Sequence, residues 1–290
     1  MALSIHTNYS SLVTQTNLTK TNAALGTNQQ RLGTGYRVNS AADDAAGLQI
    51  ATRLNAQSRG YAVAMRNTND AISLLQTAEG AFSEMTDIVQ RMKDLATQSA
   101  NDTNSDDDRE SLQAEYDELG KELNNIMNNT RYAGETLFEG DDAKFSDKVT
   151  FQIGGTSGET LTLDVSGAVS GLNGALSGLA SSYADTGNTG AEIGSGATDI
   201  GDIITQLSEA LDKIGSLRAQ FGANINRLNH TANNLANMKD NTDAAKGTIM
   251  DADFAAESAN MTKNSMLLQS GISMLKQASQ MPGMVMSLLG

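Results

Sequence analysis

The sequence contains no cysteine, no tryptophan and a single proline, Pro282, and its aromatic residues amount to only 4%. Zero cysteine excludes disulfides and thiol chemistry. So few aromatics are thin for a compact globule, whose core burial usually leans on them; slender helical packing needs less. A proline inside a helix costs roughly 3 kcal/mol, so its near absence permits very long helices. No apolar run reaches the roughly 18 residues that a membrane-spanning helix requires, which predicts no membrane insertion. Positive charge is also short: 20 Lys and Arg against 34 Asp and Glu leave a net charge of −14, and no basic stripe exists to receive nucleic acid. The opening MALSIHTNYSS lacks the basic and apolar regions of a secretory signal peptide. At 290 residues the chain has room for one large or two ordinary domains.

What is present lies at both ends. Leu18, Leu25 and Leu32 recur every seven residues, and Leu268, Ile272, Leu275 and Ser279 step by four, three and four. Both are helical seams of period near 3.5, the spacing by which one helix buries itself against another. The residues around them are mostly Asn, Thr, Ser, Gln and Ala, so neither seam has a core of its own to dock on. The ends therefore pair with each other, with copies of themselves, or both.

Between the ends, Ser40 with Asp43 resembles a capping box opening a helix. An apolar face then runs through Ala51, Leu54, Ser58, Tyr61, Met65, Thr68, Ile72 and Leu75, and on through Phe82, Met85, Ile88, Met92 and Leu95. This predicts one helix over 45–99, roughly 80 Å long at about 1.5 Å per residue. Ser105 and Asp108 cap a second helix, 106–129, with Leu112, Tyr116, Leu119, Leu123 and Ile126 on one face. Residues 130–147 read as irregular. Val149, Phe151 and Ile153 alternate, as do Leu161, Leu163 and Val165, around the turn GGTSGE, which predicts a β-hairpin. Residues 166–199 are rich in Gly, Ser, Ala and Thr without a strong period and read as exposed, variable surface. A helix over 200–243, packed antiparallel to the 45–99 helix, precedes a break near 245–251 and a terminal helix over about 252–288. The fold expected is mainly α: a long antiparallel helical coiled coil or rod with a small β-hairpin region around 140–199. Its domains are discontinuous and nested, 1–44 with 246–290 outside and 45–245 inside.

Catalytic chemistry finds little footing. His6 and His230, the two histidines, sit in segments far apart in the expected fold, and no HExxH motif exists. Asp102, Asn104, Asp106 and Glu110 loosely echo a calcium loop, but Asp107 stands where such a loop needs glycine. A helix cap and solvated turn account for them. No catalytic, cofactor or metal site is expected. The tail carries Met261, Met266, Met274, Met281, Met284 and Met286, a residue type that fills irregular packing and also serves adaptable recognition surfaces.

The stretches MALSIHTNYSSLVTQTNL, RLGTGYRVNSAADDAAGLQIATRL, QRMKDLATQSAN and AAESANMTKNSMLLQSGISMLKQASQMPGMVMSLL resemble the terminal regions of bacterial flagellin. The similarity covers roughly residues 1–140 and 200–290. The middle has room for the hairpin of the family's inner domain but not for large outer domains, so the chain resembles a minimal flagellin. The resemblance implies a non-enzymatic subunit that polymerises into the extracellular flagellar filament for swimming motility. It is exported unfolded by the flagellar type III apparatus without a cleaved signal peptide. The ends would form a coiled coil lining the filament channel, ordered on polymerisation, with Leu18, Leu25, Leu32, Leu268, Ile272 and Leu275 as polymerisation seams. Implied partners are further copies, the flagellar cap and hook-junction proteins, and an export chaperone at the C-terminal helix. Gln90, Arg91, Leu95, Gln98 and Glu115 match positions that pack between subunits and through which Toll-like receptor 5 detects flagellin monomers. A hook–filament junction protein, which shares flagellin-like termini, is the alternative.

Overall fold

A computed structural model describes residues 8–140, 143–184, 190–195, 197 and 199–289. His6 and the side chains of Met281, Met284 and Met286 lie outside the described residues. In chain order the elements are α1 (Tyr9–Thr34), α2 (Ala45–Ser99), α3 (Asp106–Asn129), the strands β1 (Arg131–Tyr132), β2 (Glu135–Thr136), β3 (Val149–Gln152) and β4 (Thr160–Leu163), then α4 (Ser166–Leu179), α5 (Ser181–Ala184), α6 (Ile200–Met250) and α7 (Phe254–Leu289). The fold is mainly α, and among the described residues the strands form two small antiparallel hairpins. Two compact units result. The terminal unit joins residues 1–58 to 240–290, and the inner unit comprises 59–239.

The inner unit carries a fully buried core. Along α2 the buried stripe runs through Ala71, Leu75, Ala78, Phe82, Met85, Val89, Met92 and Leu95, steps of three and four that hold one face of a helix inward. Small residues take several places where the sequence reading favoured larger neighbours: Ala64 and Ala71 are buried while Met65 and Ile72 are only partly so. Scarce aromatics are concentrated rather than spread. Four of the six phenylalanines, Phe82, Phe138, Phe145 and Phe221, meet with ring centroids 4.8–6.0 Å apart, the separation at which aromatic pairs add to area burial.

The strands fold as their patterns require. β3 and β4 pair in register from Val149 opposite Leu163 to Gln152 opposite Thr160. The segment read as irregular contains a second hairpin, Arg131 opposite Thr136 and Tyr132 opposite Glu135. Its two turn residues, Ala133 and Gly134, have φ of 51° and 91°, the pair of positive values that matches strand twist in a two-residue turn. The turn of the larger hairpin approaches α2 closely: a Cβ on Gly60 would stand 3.4 Å from the Gly155 Cα.

Three expectations change. Residues 166–179, read as exposed surface without period, form α4 and bury Val169, Leu172, Leu176 and Leu179. Their steps of three and four were masked by Gly and Ser, which lower helix propensity by up to about 1 kcal/mol per residue but lose to burial of an apolar stripe. The helix expected to end near 243 continues to Met250; nothing in 244–250 breaks a helix strongly. Ser40 and Asp43 do bond, Ser40 Oγ to Asp43 Oδ2 at 3.0 Å, but inside a turn. Asp44 caps α2 instead, its Oδ1 accepting from the Gly47 amide at 2.8 Å. The Ser105–Asp108 box forms reciprocally at the start of α3.

Candidate functional site

In the terminal unit α1 and α7 run antiparallel, as a ladder of contacts shows. Asn8 Nδ2 donates to the Ala278 carbonyl at 2.6 Å, Leu18 lies over Gly271, Arg31 Nη1 bonds Glu257 Oε1 at 3.0 Å, and Tyr36 forms a β-bridge with Asp251. Partners fall along α7 as they rise along α1, the order that an antiparallel pair requires. Along α1 the sheltered line runs through Ser11, Thr14, Leu18, Thr21, Leu25, Asn28 and Leu32, with Arg31 beside it, and along α7 through Glu257, Met261, Asn264, Leu268, Gly271, Leu275 and Ala278, with Ser265 beside it. Both sets alternate steps of three and four, a heptad seam.

The α1 seam therefore contains the three predicted leucines, whereas the α7 seam departs from expectation. Ile272 is 40% exposed and Ser279 is exposed, and Gly271 and Ala278 occupy their places. The reason is steric. A Cβ on Gly271 would stand 2.9 Å from Leu18 Cδ1, so the glycine lets the tip of the leucine lie close against α7. Sequence reasoning also missed that the seam is partly polar. Asn28 is buried; in the amide orientation that satisfies its neighbours, its oxygen faces Asn264 Nδ2 and the Met261 amide, each at 3.2 Å. Its spacing of three from Leu25 was the available signal.

What the seam lacks in apolar surface, the outside of the pair displays. Leu12 is 57% exposed, Leu267 48% and both Met266 and Met274 60%. Met266, Leu267 and Met274 fall on one side of α7 by their spacing, large apolar side chains left in solvent on an otherwise polar pair.

On the inner unit, Gln90, Arg91, Gln98 and Glu115 are exposed. Arg91 joins α2 to α3 by an ion pair with Glu115, Nη2 to Oε1 at 2.6 Å and Nε to Oε1 at 2.8 Å. Leu95, grouped with them by sequence, is instead in the core at 1% exposure. Near this surface a polar network ties the segment after α5 to α3. Gln113 Nε2 donates to Asp117 Oδ1 at 2.9 Å and to Glu192 Oε2 at 2.8 Å, and its Oε1 accepts from the Ile193 amide at 2.7 Å. The Gly190 amide donates to the Asp117 carboxylate, and the Ser181 amide and hydroxyl donate to Glu192. Burial would raise the Glu192 carboxyl, but the Ser181 and Gln113 donors outweigh it and hold it below its ordinary value. Gln113 and Asp117, one turn apart beside Tyr116, carry no apolar signature and were not legible.

The calcium-like residues do not converge. Asp102 pairs with Arg109 at 3.5 Å, Asn104 Nδ2 donates to the Gln98 carbonyl, and Asp106 lies in the first turn of α3. His230 is exposed on α6. Among the described residues no cluster of His, Cys, Asp and Glu is placed to hold a metal ion, and no helix is long and apolar enough to cross a membrane.

Residues 5–143 match the bacterial flagellin N-terminal helical region and residues 204–289 the bacterial flagellin C-terminal helical region. The chain is 36% identical to flagellin A of Vibrio anguillarum, with all of both chains covered. It is 34% identical to polar flagellin C of Vibrio parahaemolyticus, again over the whole of both. The first alignment spans 378 positions against 290 residues here, so that relative carries residues with no counterpart in this chain. Among solved structures, Bacillus cereus flagellin is similar at 33% identity and a TM-score of 0.47, covering 59% of this chain and 88% of that one.

Proposed function

The chain belongs to the bacterial flagellin family, whose members are structural rather than enzymatic, and on that premise we propose how its two units divide the work of a subunit in the extracellular flagellar filament. The terminal unit, expected from sequence as 1–44 with 246–290, lines the filament channel, and the inner unit, expected as 45–245, builds the surrounding shaft. Self-association is the mechanism. Heterologous contacts that do not close into a ring propagate a helical filament.

The observation that carries this reading is the inversion in the terminal unit: a partly polar seam within, and Leu12, Met266, Leu267 and Met274 without. A neighbouring copy covers that outer surface and supplies the stabilisation that α1 and α7 do not give each other. Leu18, Leu25, Leu32, Leu268 and Leu275 hold the pair together, while Ile272, off the seam, joins the surface offered to the neighbour. The Met-bearing face also suits an export chaperone before assembly, and the flagellar cap and hook-junction proteins meet the same ends. Export through the type III apparatus without a cleaved signal peptide completes the reading.

The test is the double variant Leu267→Glu/Met274→Glu in the full chain. Electron microscopy is expected to show no filaments, with monomer circular dichroism unchanged; normal filaments overturn the reading. The same images separate it from a hook–filament junction role, in which the protein forms no long filament of its own.

Receptor recognition of the monomer is a second reading, favoured by the exposed Gln90, Arg91, Gln98 and Glu115 on adjoining helices. The guanidinium of Arg91 is paired with Glu115 and has the makings of an interface anchor. Leu95 contributes from beneath, by packing α2, rather than by touching the receptor. Monomer signalling through Toll-like receptor 5 in a reporter cell line is expected to fall with Arg91→Ala; unchanged signalling excludes the reading.

A further inference from the structure

The α1–α7 seam repeats every seven residues on both helices, and a repeat of that kind does not by itself say where to stop. Leu18, Leu25 and Leu32 on one side and Met261, Leu268 and Leu275 on the other would mesh almost as well after a slip of one heptad. Polar residues at seam positions are the known means of specifying register in such pairs, at some cost in stability.

We propose that Arg31 and Glu257, assisted by Asn28 with Asn264, act as a register key that allows the terminal helices to close in one alignment only. The proposal rests on the reading that these helices assemble with further copies, because the alignment decides which outer apolar residues stand side by side for the next subunit. Three observations support it. First, the ion pair bridges the seam at 3.0 Å with both side chains largely sheltered, 28% and 11% exposed. A slip toward the C-terminus sets Arg31 against Asn264, and a slip the other way carries it past the start of α7 at Phe254. Second, Asn28 is buried on the same seam and, in the amide orientation that satisfies its neighbours, meets Asn264 Nδ2 at 3.2 Å, a polar pairing that a slipped alignment would separate. Third, Leu18 lies close against Gly271, and a slip would bring it onto Asn264 or Ala278. The backbone bonds at the base of the pair, Arg37 N–H to Met250 O at 2.6 Å and Ala252 N–H to Gly35 O at 2.9 Å, hold the same alignment at one end, and the side-chain key carries it up the helices.

The test uses the full chain, whose lack of cysteine makes an introduced pair unique. Leu18→Cys/Gly271→Cys reports the observed alignment, and Leu18→Cys/Ala278→Cys reports a one-heptad slip. Oxidation in the seeded assembly mixture is expected to trap only the first pair. Arg31→Glu is expected to abolish that cross-link and slow assembly at least about tenfold, the lower bound set by breaking a sheltered pair. The swap Arg31→Glu/Glu257→Arg is expected to restore both. Arg31→Met/Glu257→Leu, which keeps the seam packed, is expected to assemble with both cross-links present. The proposal is overturned if Arg31→Glu keeps the parental cross-link and rate, if the swap rescues neither, or if the apolar pair still yields the first cross-link alone. Should the parent cross-link correctly but form no filaments, the assembly reading fails and the register key stands.

Discussion

The terminal and inner units are built from the same helical grammar but leave opposite remainders. The inner unit gathers its large side chains inward: Phe82, Phe221, Tyr116 and Leu75 have 0% exposure. The terminal unit shelters Asn28, Gly271 and Glu257 at its seam and leaves Leu12, Met266 and Met274 in solvent. The difference teaches where each unit finds its stability. One buries its large apolar side chains within the chain; the other leaves several outside, on the surface that the proposed assembly would cover.

The sharpest way to break this contrast is to remove residues 260–290. Filament formation is expected to disappear entirely in sedimentation, while the melting transition of the inner unit stays within a few degrees of the parent. A joint loss would show that the units are not independent in stability. Next in size, Phe82→Ala or Phe221→Ala should cost the inner unit about 3–5 kcal/mol, the range for emptying an aromatic site in a packed core, read as a large fall in the denaturant midpoint. Leu25→Ala should cost less, because that side chain is only partly buried, yet raise the concentration needed to assemble.

A smaller effect tests one edge of the inner unit. The depressed Glu192 carboxyl contributes stability above its unfolded value, and that contribution is lost as the pH falls through the folded value. Hydrogen-exchange protection of the Ser181, Gly190 and Ile193 amides should therefore weaken as pH drops below the ordinary 4.5. Glu192→Gln should weaken it at neutral pH, by about 1–3 kcal/mol of local stability. Smallest of all, Arg91→Ala should change the melting temperature barely, since an ion pair with side chains 53% and 46% exposed is worth about 0–1 kcal/mol.

Legibility in the sequence followed the same division. Long apolar periods announced α2, α3 and α6, alternation announced the β3–β4 hairpin, and the leucine heptad announced α1. What stayed hidden were places where a small or polar residue did the packing. Val169, Leu172, Leu176 and Leu179 were concealed among glycines and serines. Gly271 outranked Ile272 because closeness, not hydrophobicity, decides what lies against Leu18. Gln113, Asp117 and Arg31 became meaningful only once their distant partners, Glu192, Gly190 and Glu257, were placed beside them. The assembly surface was legible in kind, as ends with no core, but its face was not, because a heptad reports which residues meet a helix partner and says nothing of what lies on the far side.

The ladder from Asn8–Ala278 to Tyr36–Asp251 joins a segment made early in translation to one made more than two hundred residues later. A chain interrupted before α7 offers α1 no counterpart, however well its inner unit has folded. On the proposed assembly role, admission to the polymer would double as an inspection of synthesis: a product truncated before α7 could be sound over most of its length and still fail to enter.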